Sequence, residues 1–284
     1  MDIKNTTRDD YQRWAEKKLN SFQSSPEGLM VEIKDAGAIT KSERLKIKDL
    51  LAQQNLVFYE FKIVKKSTPD ALISFSKQLG LEDFDYNPRA DKTGLTPITA
   101  NANIDKQDEY VPFTTKGLNW HTDGYYNLPA ESIHSWLLHC EEPAQEGGEN
   151  EFLDHEMAYI LFNQKNKKII NLMDDQAYTI PKNEKTGRKS ISGYVFSFKN
   201  KYKKLHMRFT MRENNIQWNE KINKEINQLK EIIKESRKYH IRYKLDYKQG
   251  AITNNILHNR TSFTNINNQT RLIYRIRSKQ RVNL

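Results

Sequence analysis

The sequence contains a single cysteine, Cys140, among its 284 residues. One thiol cannot form a disulfide within the chain, so a disulfide-stabilised fold is excluded and a reducing compartment is expected. No run of 18 consecutive apolar residues occurs, and residues 1–14 hold no apolar stretch like that of a signal peptide. These absences predict a cytoplasmic protein without a membrane partner.

Internal repeats and low-complexity linkers are also missing, which predicts one domain over residues 1–284. The net charge of +10 comes from lysines scattered along the chain, and the densest basic run, residues 199–208, is typical of a solvated turn. The charge therefore predicts no nucleic-acid partner, and it would suit a small-molecule substrate that is an anion. The oligomeric state stays open, a homo-oligomer included.

Helical patterns are concentrated near the N-terminus and in one later insertion. Residues 40–55 begin with Thr40 and Glu43 at capping-box spacing, and residues 68–80 predict a helix with Thr68 as its N-cap. Three further elements are predicted: a strand over residues 56–61, a helix starting at Asp154, and a helical insertion at about 219–238.

The remaining segments are short, rich in β-branched and aromatic residues, and bounded by turn residues, as strands are. Residues 240–247 alternate most clearly, with Ile241, Tyr243, Leu245 and Tyr247 on one face. This pattern predicts a mainly β protein with flanking helices (α+β), built as a jelly-roll barrel. The helical flank is expected at about 1–80 and the barrel core at about 95–284.

A candidate metal motif lies in residues 117–127, where His121 precedes Asp123 by two positions. With seven histidines and 36 acidic residues in the chain, about one such pair arises by chance. A second pair, His139 and Glu141, shows that the spacing alone does not select the site. A non-haem iron site needs a third ligand, and His258 stands out because it ends a β-branched run before a polar turn.

Two arginines follow His258 on a predicted strand. Arg271 and Arg275 are four residues apart, so their side chains share one face of that strand. If they are buried in the barrel, each needs an anionic partner.

The segments "WHTDGYY", "EEPAQEGGEN", "LHNRTSF" and "RLIYR", in this order, resemble the TauD/TfdA family of Fe(II)- and 2-oxoglutarate-dependent oxygenases. The resemblance runs from about residue 101 to the C-terminus. It implies a double-stranded β-helix, which is the jelly roll that the strand pattern predicts. It also implies an iron(II) ion, 2-oxoglutarate as co-substrate, and O2, with release of succinate and CO2.

The resemblance assigns His121, Asp123 and His258 as the iron ligands. It assigns Arg271 to the distal carboxylate of 2-oxoglutarate and Arg275 to the primary substrate. Asn150 stands where the family usually has a threonine that contacts 2-oxoglutarate, and an asparagine amide is a donor of similar reach. His139 and Glu141 are then expected to be structural.

Further residues and other functions stay open at this point. Tyr125 beside the metal motif, with Asn101 and Asn103 shortly before it, are candidate substrate contacts. Aromatic residues there could instead surround a quaternary ammonium substrate. The same iron chemistry could serve a demethylase, although the wide separation of Asp123 and His258 is typical of small-molecule members. The alternative of another class is a non-catalytic jelly-roll binding protein.

Overall fold

The computed structural model of the protein describes residues 7–87, 89–100, 111–166, 168–184, 187–266 and 269–284. Its α-helices are α1 Arg8–Asn20, α2 Lys41–Gln54, α3 Thr68–Gln78, α4 His155–Lys165 and α5 Asn223–Glu235. Its strands are β1 Met30–Asp35, β2 Leu56–Ile63, β3 Leu95–Thr99, β4 Leu118–His121, β5 Ser135–Glu142, β6 Glu146–Gly147, β7 Asn150–Leu153, β8 Tyr178–Ile180, β9 Ile191–Gly193, β10 Phe196–Ser197, β11 His206–Met207, β12 Gln217–Trp218, β13 Ile241–Tyr243, β14 Gln249–Thr253, β15 Leu257–Arg260, β16 Phe263–Thr264 and β17 Leu272–Ser278.

The helices begin where side chains can cap their free N–H groups. Thr40 and Glu43 form the predicted capping box of α2, and Asp154 caps α4 as predicted. The N-cap predicted for α3 is wrong by one residue, because the Ser67 side chain, and not Thr68, accepts from the Asp70 N–H. Helix α1 was not predicted, although the T-x-x-D spacing that starts at Thr7 forms a second capping box.

Two sheets carry most of the pairing. The larger has the order β1-β2-β14-β5-β17-β3 and is antiparallel except for β1 and β2, and the smaller has the order β13-β7-β15-β4. Their inner faces meet through aromatic side chains: the Phe152 ring lies 5.5 Å from that of Phe58 and 6.3 Å from that of Trp136. The arrangement agrees with the predicted jelly roll with flanking helices.

The predicted strand over residues 240–247 is shorter than its alternation suggested. Strand β13 ends at Tyr243, the chain turns at Lys248 with a φ of 64°, and Tyr247 is 53% exposed. The Asp246 amide N–H donates to the side chain of Gln249, so this segment satisfies its polar groups as a turn. The prediction that the strand continues through Tyr247 is therefore wrong.

The predicted insertion at 219–238 contains α5, which packs its buried side chains against α4 in a second hydrophobic cluster. That cluster also holds Trp120 and Leu257, the residues before His121 and His258. The cluster therefore packs against β4 and β15, the two strands that carry these histidines. Among the described helices, none has both the length and the apolar composition that crossing a membrane requires.

Candidate metal centre

The strand pairing of the smaller sheet brings the two predicted histidine ligands together. His121 on β4 lies directly opposite His258 on β15, and their ring centroids are 4.3 Å apart. Asp123 follows β4 by two residues, and one ligand atom from each of the three side chains lies within 4.8 Å of the others. Within the described ranges, this is the one group of three or more potential metal ligands.

Asn255 fixes the backbone at Asp123, a role that the sequence did not reveal. Its side-chain oxygen accepts from the Asp123 N–H at 2.8 Å, and its amide donates to the Asp123 carbonyl at 2.9 Å. Asn255 has a φ of 55°, a conformation that asparagine tolerates better than most residues. The turn that precedes His258 thus also positions Asp123.

The hydrogen bonds of the two imidazoles select the nitrogen that is free to bind a metal. Nδ1 of His121 lies 2.8 Å from the Asn119 carbonyl, and Nδ1 of His258 lies 3.2 Å from the Ile256 carbonyl. A carbonyl only accepts, so each Nδ1 carries the proton and each Nε2 keeps its lone pair. Burial lowers the pKa of His258 to about 3 and, with the nearby arginines, lowers that of His121 despite Asp123, which keeps both imidazoles neutral.

The carboxylate of Asp123 is buried and ionised. Burial alone would raise its pKa, but the charges of Arg275 and Arg277 hold the pKa well below its usual range. Oδ2 lies 3.5 Å from Nη1 of Arg275 and has no hydrogen-bond partner among the described residues. Two neutral imidazoles and one carboxylate with a free oxygen form the donor set that suits non-haem iron(II).

Arg271 presents a buried positive charge close to Gly148. Its guanidinium lies 5.0 Å from the centre of the Phe263 ring, and no ion pair of Arg271 occurs in the described part of the chain. Burial lowers its pKa to about 10, so the side chain is still charged at neutral pH. A Cβ on Gly148 would lie 3.6 Å from Nε of Arg271, and Gly148 has a φ of 79°. Because Arg271 has no ion-pair partner among the described residues, its guanidinium could bind a carboxylate ligand.

Strand β17 carries two arginines on its inner face, Arg275 and Arg277, and Arg271 directly precedes the strand; of these three, Arg277 was not predicted as a site residue. Arg275 lies opposite Leu138 and Arg277 opposite Trp136 of β5. Arg277 forms an ion pair with Asp85 and donates to the Tyr126 hydroxyl at 2.9 Å. The period of two that groups Arg271 with Arg275 also includes Arg277, so this signal was present in the sequence.

Four further residues were predicted to contact 2-oxoglutarate or the substrate. Asn150 is buried on β7, and its amide donates to the Asn259 carbonyl at 2.9 Å. Tyr125 is buried, and its carbonyl accepts from Arg208 at 2.8 Å. Asn101 and Asn103 lie outside the described residues. The contacts predicted for these four residues stay predictions.

His139, from the second histidine–carboxylate pair in the sequence, lies on the other face of the larger sheet. Nδ1 of His139 lies 3.1 Å from the Tyr59 hydroxyl, and its ring stacks on Tyr59 at 5.7 Å. Burial lowers the pKa of His139 to about 3, so it is a neutral core residue.

Comparison with known families decides the class of the site. Residues 18–277 match the model of the taurine catabolism dioxygenase TauD, TfdA family. The chain belongs to this family. It is therefore an iron(II)- and 2-oxoglutarate-dependent oxygenase, and the resemblance drawn from the motifs is confirmed.

Solved structures share the fold of this TauD/TfdA member at low identity. A taurine dioxygenase from Burkholderia xenovorans aligns with a TM-score of 0.59 and 14% identity, covering 91% of this chain and 90% of that one. An asparagine oxygenase in complex with Fe(II), 3-hydroxyasparagine and succinate aligns with a TM-score of 0.59 and 10% identity, covering 96% and 92%. PvcB, an oxygenase from an isonitrile synthetic pathway, gives a TM-score of 0.59 and 12% identity, covering 88% and 85%. A search of curated proteins finds no match.

Proposed function

We propose that this oxygenase hydroxylates a small polar, anionic metabolite such as an amino acid, a sulfonate or a related acid. The observation that carries the proposal is the state of Arg275 beside Asp123. Its Nε and Nη2 are buried without a hydrogen-bond partner among the described residues, and the side chain is only 8% exposed. A buried guanidinium with free donors is costly unless an anion binds it. An acidic substrate group next to the iron would meet that need.

The cofactor roles follow from the free atoms of the site. Nε2 of His121, Nε2 of His258 and the carboxylate of Asp123 would hold iron(II), and Arg271 would bind the distal carboxylate of 2-oxoglutarate. When bound, these groups supply the oxidative decarboxylation to succinate and CO2 that turns dioxygen into an oxidant for a C–H bond. The amide of Asn150 would add a second contact to 2-oxoglutarate.

The protein's own part is to position these groups and keep the site dry. Trp136 packs its ring 4.7 Å from that of His258 and limits the rotation of the imidazole. Asn255 fixes the Asp123 backbone, and Arg275 orients the carboxylate from the neighbouring sheet. Buried surroundings strengthen each of these charged contacts.

The surrounding charges also bear on the alternative substrates. Arg275 adds positive charge beside Asp123, which disfavours a quaternary ammonium group at the iron because like charges repel. Among the structural neighbours, the taurine dioxygenase and the asparagine oxygenase are named for small acidic or zwitterionic compounds. This supports an acid as the substrate class.

The proposal is tested by measuring 2-oxoglutarate-dependent succinate release with a library of amino acids, sulfonates and related acids. We expect a hit among the acids that raises succinate release above the uncoupled background. Replacement of Arg275 by Gln should raise the KM for that acid at least about tenfold, since charge-assisted hydrogen bonds are lost. Strong release only with cationic substrates would contradict the proposal.

A further inference from the structure

We propose that the substrate carries two acidic groups and that Arg212 binds the second one. This rests on the proposed function, in which Arg275 binds the first. Arg212 is half-buried at the end of the segment 206–212, which leads away from β11 past the metal ligands.

The segment 206–212 runs antiparallel alongside β4. His121 and Thr210 form an isolated bridge, and backbone N–H groups donate across it on both sides, from Met211 to the Trp120 carbonyl at 2.9 Å and from Thr122 to the Phe209 carbonyl at 3.0 Å. Paired residues point to the same side, and alternate residues share a face. Arg212 therefore shares the face of Thr210 and lies beside the metal-binding face of His121.

The charge of Arg212 acts on the metal site. Burial lowers the pKa of His121, and Arg275 and Arg212 lower it further. Burial raises the pKa of the Tyr125 hydroxyl, and Arg212 counteracts part of that increase. Both effects agree with the position of Arg212 on the face of Thr210, which is paired with His121.

Arg212 has no acidic partner in the part of the chain that the structure describes. The adjacent carboxylate, Glu213, instead pairs with Lys230 at 3.7 Å. By contrast, Arg277 is neutralised by Asp85, and the buried Arg208 donates to the backbone carbonyls of Tyr125 and Asn127. Arg212 is thus a positive charge held beside the site without a described counter-charge.

The charges of the site with iron(II) and 2-oxoglutarate bound indicate what charge the substrate should carry. Asp123 and one carboxylate of 2-oxoglutarate would balance the two positive charges of iron(II), and the distal carboxylate of 2-oxoglutarate would balance Arg271. The charges of Arg275 and Arg212 are then left unbalanced around the substrate. A substrate with two acidic groups would neutralise both, whereas a singly charged acid would leave one guanidinium without an anion.

The test compares acids with matched compounds that lack one acidic group: L-aspartate with L-asparagine, L-glutamate with L-glutamine, and O-phospho-L-serine with L-serine. Binding is measured without oxygen, at saturating 2-oxoglutarate, from the change that each compound causes in the visible band of the iron(II) and 2-oxoglutarate complex. The proteins are the wild type, Arg212→Gln, Arg212→Lys, and Arg237→Gln as a control at an exposed arginine.

We expect at least one doubly acidic compound to bind about tenfold more tightly than its partner. Arg212→Gln should remove that advantage, Arg212→Lys should keep part of it, and Arg237→Gln should keep all of it. The affinity for 2-oxoglutarate and the melting temperature should stay unchanged in Arg212→Gln. The proposal is overturned if no pair shows the advantage, or if the advantage survives in Arg212→Gln. Absence of the visible band in the wild type would instead contradict the proposed function, and this inference with it.

Discussion

At the scale of single residues, Gly250 shows how closely the larger sheet is packed beneath the site. A Cβ there would lie 2.2 Å from Cζ of Tyr59 and 2.3 Å from the Leu138 carbonyl oxygen. Gly250→Ala would force the fully buried Tyr59 ring away from His139. Overpacking of this kind costs about 1–3 kcal/mol, so we expect a loss of about 2 kcal/mol in the free energy of unfolding, measured with urea.

Gly37→Ala provides the control for this change, because its added Cβ meets only the flexible Asp35 carboxylate, at 3.3 Å. We expect its effect to stay within about 0.5 kcal/mol, as for most surface substitutions. An equal loss in the two variants would contradict the account of Gly250.

The site also shows which residues sequence reasoning can find. His121, Asp123, His258, Arg271 and Arg275 were identified from motif order, because their chemical types are distinctive and their family order is fixed. Three other site residues were missed: Asn255, Arg277 and Arg212. Asn255 acts through its side chain on a segment more than 100 positions away, and the position of Arg212 depends on a single bridge to β4. Such long-range pairings leave no local pattern.

At the scale of elements, the start of α3 offers a sharp test of the corrected N-cap. The Ser67 hydroxyl accepts from the Asp70 N–H and donates to the Asp70 carboxylate at 2.6 Å. Ser67→Ala should lower the free energy of unfolding by about 1 kcal/mol, because a capping hydrogen bond is lost. Thr68→Ala should have almost no effect, since Thr68 is the first helical residue and alanine has the higher helix propensity. Denaturant unfolding that ranks the two variants in the opposite order would contradict the assignment.

The sequence predicted helices and strands correctly where a single local signal was sufficient. It failed where two signals pointed to different structures. Helix α2 was found from its capping box, and β2 from the strand pattern of residues 56–61. Alternation continued through Leu245 and Tyr247, yet the turn at Lys248 ends the pairing earlier. The strand β14 must begin at Gln249 to pair with both β2 and β5. That requirement comes from the sheet and is not visible in the alternating segment.

At the scale of the whole molecule, a buried ionic network connects distant parts of the chain. Nζ of Lys18 on α1 lies 2.7 Å from Asp154 and 2.5 Å from Glu156 at the start of α4. The Asn55 amide donates to Asp154 at 3.0 Å and accepts from Arg281 at 2.6 Å through its oxygen. Lys18→Ala would leave two carboxylates buried without their cation, which costs about 3–5 kcal/mol.

The same network predicts how stability depends on pH. Burial raises the pKa of Glu156, but Lys18 and other nearby groups, Arg281 among them, together outweigh this increase, and the net pKa lies below the ordinary value of 4.5. A lowered pKa in the folded state means that Glu156 stabilises the fold fully above pH 4.5 and loses this contribution as the pH falls further. Urea unfolding between pH 7 and pH 3 should therefore show the difference between wild type and Lys18→Ala shrinking as the pH falls.

Lys62→Ala is the matched control, because Lys62 also contacts two carboxylates, Glu32 and Glu60, but is 42% exposed. Exposed pairs contribute about 1 kcal/mol or less, so this variant should stay close to the wild type. A constant difference between wild type and Lys18→Ala across the pH range would contradict the role of the network.

The central claim is that His121, Asp123 and His258 bind iron(II) and that the resulting centre binds 2-oxoglutarate. Its most direct test is anaerobic addition of iron(II) and 2-oxoglutarate, followed by the weak visible charge-transfer band. We expect the band in the wild type and its loss in Asp123→Asn and His258→Ala. The control Glu141→Gln changes only the second pair, His139 and Glu141, and should keep the band. A wild type without the band, or Asp123→Asn with an undiminished one, would contradict the account.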